Sequence, residues 1–132
     1  MIARQPDEPL HVLVVDDEFM IATLLEDMLL SLGCKVVGTA AAVAPALALI
    51  EADDQTLDGA FLDINLRGEL VYPVADALAA RDVPFVFVTG YASHGIDARY
   101  AAIRTLTKPF DTATSHDIVM VFEQRRRERM NT

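Results

Sequence analysis

Cations are scarce in this chain. Lys and Arg number 11 against 20 Asp and Glu in 132 residues, a formal net charge of -9. With a pI near 4.6, that balance excludes a general nucleic-acid binder and suits a protein that takes cations or basic surfaces. Cysteine is almost absent: Cys34 stands alone, so no internal disulfide can form, as fits a reducing cytosol. No long hydrophobic run is present. The longest, "TAAAVAPALALI" at residues 39–50, contains Pro45 and is shorter than the roughly 20 residues that span a bilayer. The start, "MIARQPDEPL", lacks the apolar core of a signal peptide. A soluble cytoplasmic domain with no membrane contact is expected. Glycine-rich phosphate loops are missing too, because the first strand candidate runs into "DDE"; that disfavours a Rossmann or P-loop nucleotide site. His11, His94 and His116 are scattered without metal-ligand spacing.

What remains is apolar, at 52% of residues, which argues against disorder and is enough for one core. "HVLVV" (11–15) reads as a buried strand. Ile21, Leu24, Leu25, Met28 and Leu32 then recur as one face of a helix, which Gly33 is placed to end. Further strands are expected at 34–40, 59–63, 84–88 and 103–107. Helices are expected at 43–52, around Val71, Val74, Ala75 and Leu78, within 92–100, and after Asp111 with Ile118, Val119 and Phe122 inward. "INLRGEL" (64–70) reads as a loop. Five strands alternating with five helices imply a parallel sheet covered on both faces. The chain divides into a lead-in (1–10), a domain (11–125) and a tail (126–132), with no second domain expected.

Open α/β sheets bind ligands at the carboxyl ends of their strands. Asp16 and Asp17 follow the first strand, Asp63 ends the third, Thr89 the fourth and Lys108 the fifth. Taken singly, each is an ordinary cap, turn or solvated residue. Together they place hard oxygen ligands and a cation on one edge. Adjacent carboxylates repel, and Mg²⁺ relieves that repulsion. The same set suits phosphoryl chemistry: a carboxylate attacks in line while the metal and Lys108 neutralise phosphoryl oxygens.

"VVDDE" (14–18), "FLDINL" (61–66), "FVTGY" (87–91) and "TKPF" (107–110), in this order, resemble a response-regulator receiver domain, the phosphoacceptor module of two-component signalling. The resemblance implies a doubly wound (βα)5 parallel sheet, strand order 2-1-3-4-5. It implies Asp63 as phosphoacceptor, and Mg²⁺ held by Asp17 and Asp63, by Asp16 through water and by the backbone carbonyl of Asn65. Thr89 and Lys108 would hold the phosphoryl group. The implied partners are a histidine kinase or phosphotransferase, and a downstream protein on the face of the fourth helix, fifth strand and fifth helix. Nucleic acid is not expected as a partner.

Many receivers carry an aromatic three residues before the lysine; here that position is Thr105, while Tyr91 follows Thr89 by two. "FVFVTGY" and "VYPVADAL" resemble standalone alphaproteobacterial receivers linked to general-stress signalling, with Val88 where their signature has Ala. Tyr91 and Asn65 would then modulate the lifetime of the acyl phosphate, unless Tyr91 is an ordinary half-buried aromatic. "RRRER" (125–129) reads as a solvated helix end. "HDIVMVF" (116–122) suits core packing or the surface of a homodimer. A phosphate-independent scaffold and a small Mg²⁺-dependent phosphatase are the alternatives. The phosphatase is weakened by Asn65, which lies where that chemistry needs a second acid.

Overall fold

Short strands buried on both faces, alternating with helices, have few ways to pack except as a covered parallel sheet. In the computed structural model, which describes residues 8–52, 57–90, 98–108 and 112–130, the chain forms such a sheet. Its strands are β1 (His11–Val15), β2 (Lys35–Ala40), β3 (Gly59–Asp63), β6 (Phe85–Thr89) and β7 (Thr105–Thr107), all parallel, in the order β2-β1-β3-β6-β7. Between β3 and β6 lies a two-stranded hairpin, β4 (Asn65–Leu66) and β5 (Glu69–Leu70). With the hairpin set aside, the order is the expected 2-1-3-4-5.

Alternate residues of the strands feed opposite cores. Leu13, Val15, Ala60, Leu62, Phe85 and Phe87 pack with helices α2 (Val43–Glu51) and α3 (Tyr72–Ala80). Val12, Val14, Phe61, Val86, Val88 and Leu106 pack with α1 (Phe19–Ser31) and α4 (Thr112–Met130). Gly33 ends α1 at φ +83°, and the Cys34 N–H returns to the Leu29 carbonyl at 2.9 Å, the bond pattern of a glycine C-cap. Pro45 lies in the first turn of α2 and Pro73 in that of α3, where no intrahelical N–H is lost.

Three expectations are corrected. The inward face of α1 is centred on Leu25 and Leu29 with the expected Ile21, Met28 and Leu32 packed beside them, while Leu24 is exposed. Residues 64–70 are not an open loop but carry the hairpin. Its turn, Arg67-Gly68, has φ of +57° and +92°, the left-handed pair that tight hairpins require. The basic tail is not wholly solvated, since α4 continues to Met130 and buries Arg126. Arg126 donates to the Glu8 carbonyl at 2.6 Å and pairs with Glu123 at 2.7 Å, while Arg129 pairs with buried Asp58 at 3.1 Å. Of the fourth helix expected within 92–100, residues 98–100 form a 3-10 turn. The remainder of that helix, Tyr91, His94 and the Asp111 cap lie outside the described residues.

Candidate functional site

The strand order brings the carboxyl ends of β1 and β3 side by side, with β6 and β7 following. Asp16, the first residue past β1, is tied down through its backbone: its N–H donates to the Ala40 carbonyl at 2.9 Å. Its side chain turns back, and Oδ1 accepts the Glu18 N–H at 2.8 Å. Asp63 closes β3, paired with Val88 of β6. Thr89 closes β6 opposite Thr107, and the next N–H along, that of Lys108, donates to the Thr89 carbonyl at 2.7 Å. That bond fixes where Lys108 leaves the sheet, so its side chain crosses above the edge.

One carboxylate oxygen from each of Asp16, Asp17 and Asp63 lies within 4.8 Å of the others. Lys108 spans the group: Nζ lies 2.9 Å from Glu18 Oε1, 3.3 Å from Asp16 Oδ2 and 3.4 Å from Asp63 Oδ2. Arg67 reaches in from the hairpin, its Nε 3.4 Å from Asp17 Oδ2. The Asn65 N–H donates to Asp63 Oδ1 at 3.3 Å, while its side-chain oxygen accepts the Gly68 N–H at 2.6 Å and closes the hairpin turn.

The electrostatics are unbalanced. Burial and the charge of Asp16 push the Asp63 carboxyl from 3.8 up to about 7, with Lys108 and the Asn65 N–H opposing and a hydrogen bond with Asp17 adding to the rise. Burial would lower Lys108, but Glu18, Asp16 and Asp63 outweigh it and hold the ammonium above its ordinary range. Asp16 Oδ2 is buried and accepts no hydrogen bond among the described residues. Carboxylate oxygens converging from three residues, two of them buried and short of donors, are what a hard divalent cation satisfies. The residues present therefore fit Mg²⁺ by donor type and charge.

The geometry thus gathers Asp16, Asp17, Asp63 and Lys108, with Thr89 and the backbone of Asn65 adjoining. Two participants escape the sequence pattern. Glu18 is the residue before α1 and spends its carboxylate on Lys108. Arg67 is hidden in what reads as a loop; the Arg-Gly pair between Leu66 and Glu69 is the one local sign of its turn.

An α/β sheet with acids from two neighbouring strands and a lysine from a third defines a class of phosphoacceptor signalling folds. The family described as response regulator receiver domain matches residues 12–120, and this chain belongs to it. Among solved structures it is similar to SdrG from Sphingomonas melonis Fr1, at 44% identity over 88% of this chain and 98% of that one, TM-score 0.77. It is similar to the receiver domain of PhyR from Erythrobacter litoralis, at 28% identity over 86% and 89%, TM-score 0.75. It also resembles the receiver domain of the sensor histidine kinase PA1611 from Pseudomonas aeruginosa PAO1, solved with magnesium in its active-site cleft, at 27% identity over 88% and 98%, TM-score 0.75. No curated protein matches. None of the helices among the described residues is long and apolar enough to cross a membrane.

Proposed function

We propose that this chain takes a phosphoryl group from a phosphohistidine onto Asp63 and signals by changing its protein partners. The observation that carries the reading is the convergence of the Asp16, Asp17 and Asp63 oxygens within 4.8 Å beside the Lys108 ammonium. Asp17, Asp63 and the Asn65 carbonyl would hold Mg²⁺ directly, and Asp16 would hold it through water. Bound there, the ion supplies charge neutralisation for the carboxylates and the incoming phosphoryl oxygens. An oxygen of ionised Asp63 attacks phosphorus. The bond from phosphorus to the donor imidazole nitrogen breaks, its electron pair stays on that nitrogen, and an acyl phosphate remains on Asp63. Lys108 neutralises one phosphoryl oxygen and the Thr89 hydroxyl donates to another. Because the metal-free environment holds the Asp63 carboxyl up to about 7, Lys108 and the cation also serve to keep it ionised for attack.

Phe19 and Met20, each 82% exposed, and exposed Leu24 lie just beyond Glu18. They offer the donor, a histidine kinase or phosphotransferase, an apolar strip beside the phosphoacceptor. Output would pass through the segment after Thr89, β7 and α4 to a protein partner or a second copy. The likeness to SdrG, covered over 98% of that chain, supports a single-domain regulator, and the sequence resemblance points to a cytoplasmic protein of the general-stress type. Tyr91 and Asn65 would set the acyl-phosphate lifetime, and unchanged dephosphorylation and partner binding in Tyr91→Ala would remove Tyr91 from that role.

Incubation with Mg²⁺ and acetyl phosphate, or a phosphorylated kinase, should give an acid-stable, base-labile phosphate that Asp63→Asn abolishes. No phosphate from any donor would leave a phosphate-independent scaffold. Rapid turnover of metabolite phosphates would make the protein a phosphatase.

A further inference from the structure

The two cations at the site divide the carboxylates between them. Lys108 serves Asp16, Glu18 and Asp63. Asp17, the remaining acid, is served by Arg67, and Asp17 is the one ion pair that Arg67 makes among the described residues. The hairpin holding Arg67 is anchored on several sides. Leu66 is buried, and the Val71 N–H donates to the Ile64 carbonyl at 2.9 Å. Glu69 Oε1 accepts the Val43 N–H at 3.0 Å, at the start of α2, and Asn65 locks the turn through Gly68.

Arg67 also occupies a left-handed position, φ +57°, that Asn or Gly adopts at less cost. Its guanidinium is mostly exposed, with the side chain at 82%, so packing does not explain an arginine in that turn. The feature that uses the guanidinium is Asp17, which the proposed function makes a direct ligand of the cation.

We propose that Arg67 is a built-in competitor at the cation site: its guanidinium occupies Asp17 in the cation-free protein and yields it when a divalent cation enters. This rests on the cation-binding reading above and adds what sets the affinity. The hairpin turn then tunes how much Mg²⁺ the site needs before phosphoryl transfer. It also leaves a freed guanidinium at the rim of the loaded site. Competition by an exposed monovalent group is modest, so its removal should tighten Mg²⁺ binding by roughly two- to fivefold.

The test is Mg²⁺ titration of the purified wild type, Arg67→Asn and Arg67→Lys by calorimetry, at low and at high ionic strength. Asn suits the left-handed turn, so Arg67→Asn keeps the hairpin while removing the charge. Expected is roughly two- to fivefold tighter binding by Arg67→Asn at low salt, a narrower gap at high salt, and Arg67→Lys between the two. Equal or weaker binding by Arg67→Asn overturns the inference, and weaker binding would make Arg67 an organiser of the site instead. If wild type and variant both bind Mg²⁺ and accept phosphate but have equal affinity, only the role of Arg67 fails. If neither binds Mg²⁺, the cation-site reading falls and this inference falls with it.

Discussion

Replacing Asp63 by asparagine should stabilise the metal-free protein at neutral pH, although it removes the proposed phosphoacceptor. Proton linkage sets the size of the effect. The carboxyl is at 3.8 in an unconstrained chain and about 7 in the fold, so the folded state holds the proton more tightly. Stability from this group is fully present below about pH 4 and is lost as pH rises through 7. Each pH unit across that window costs ~1.4 kcal/mol. The full window sets an upper bound of about 4 kcal/mol. Coupling to Asp16 and Lys108 divides that figure, and the Asp63→Asn variant forfeits the ion pair with Lys108 at 3.4 Å. A net gain of about 1–3 kcal/mol at pH 8 is expected. The assay is urea unfolding of wild type and Asp63→Asn between pH 4 and 8 with chelator present. The difference between them should be small or reversed near pH 4 and grow to a plateau above pH 7. Saturating Mg²⁺ should stabilise the wild type by mass action and reduce the difference. A pH-independent difference, or a destabilised Asp63→Asn at pH 8, would refute the claim that this carboxylate is poorly compensated.

Asp17→Asn should abolish measurable Mg²⁺ binding, whereas Glu18→Gln should weaken it only mildly, because the Glu18 carboxylate is more than half exposed and engages Lys108; titration calorimetry separates the two, and equal loss would overturn the division. Gly59→Ala would place a Cβ 2.3 Å from the Phe122 ring, so it should cost about 1–3 kcal/mol in denaturant midpoint analysis even though alanine is compatible with a strand. Asp58→Ala strips Arg129 and the His11 N–H of a buried acceptor, with an expected loss of about 3 kcal/mol read as a fall in melting temperature.

The strands were legible because the three central ones, β1, β3 and β6, are short runs buried on both faces, and the polar residues at the strand ends announced one edge of the sheet. The face of α1 was legible except at Leu24. Leu24 and Leu25 adjoin, so do Leu29 and Leu30, and two stripes one residue apart can be drawn through them. Which stripe is buried depends on how the helix crosses back over β1 and β2, a tertiary fact. Arg126 and Arg129 defeated local reading for a related reason. Their partners, Glu8 and Asp58, lie 118 and 71 residues away in sequence, and nothing in "RRRER" distinguishes an arginine facing solvent from one facing a buried acid. At the site, residue types and order revealed the carboxylates and Lys108. The sharing of cations did not show, because it depends on a hairpin turn and on the path of Lys108 above the sheet edge.

Both ends of β3 carry an aspartate, and comparing them indicates which end is suited to a cation. Asp58 precedes the strand and is fully buried, yet each oxygen has a donor: Oδ2 takes the His11 N–H at 2.7 Å and Oδ1 the Arg129 guanidinium at 3.1 Å. That end is closed, and a metal ion there would have to displace an arginine and a backbone N–H for little gain. Asp63 ends the same strand with a single backbone donor, shares its lysine with Asp16 and Glu18, and is driven up to about 7. Its neighbour Asp16 has a buried oxygen whose one ion-pair partner among the described residues is that same Lys108, at 3.3 Å and outside hydrogen-bond geometry. Acids alone therefore do not mark the site. The deficit of donors per carboxylate oxygen does, and it exists at the edge where Thr89 and Lys108 also emerge. A divalent cation bound there satisfies oxygens that the protein leaves short, so saturating Mg²⁺ should raise folding stability in any variant that leaves the three carboxylates intact.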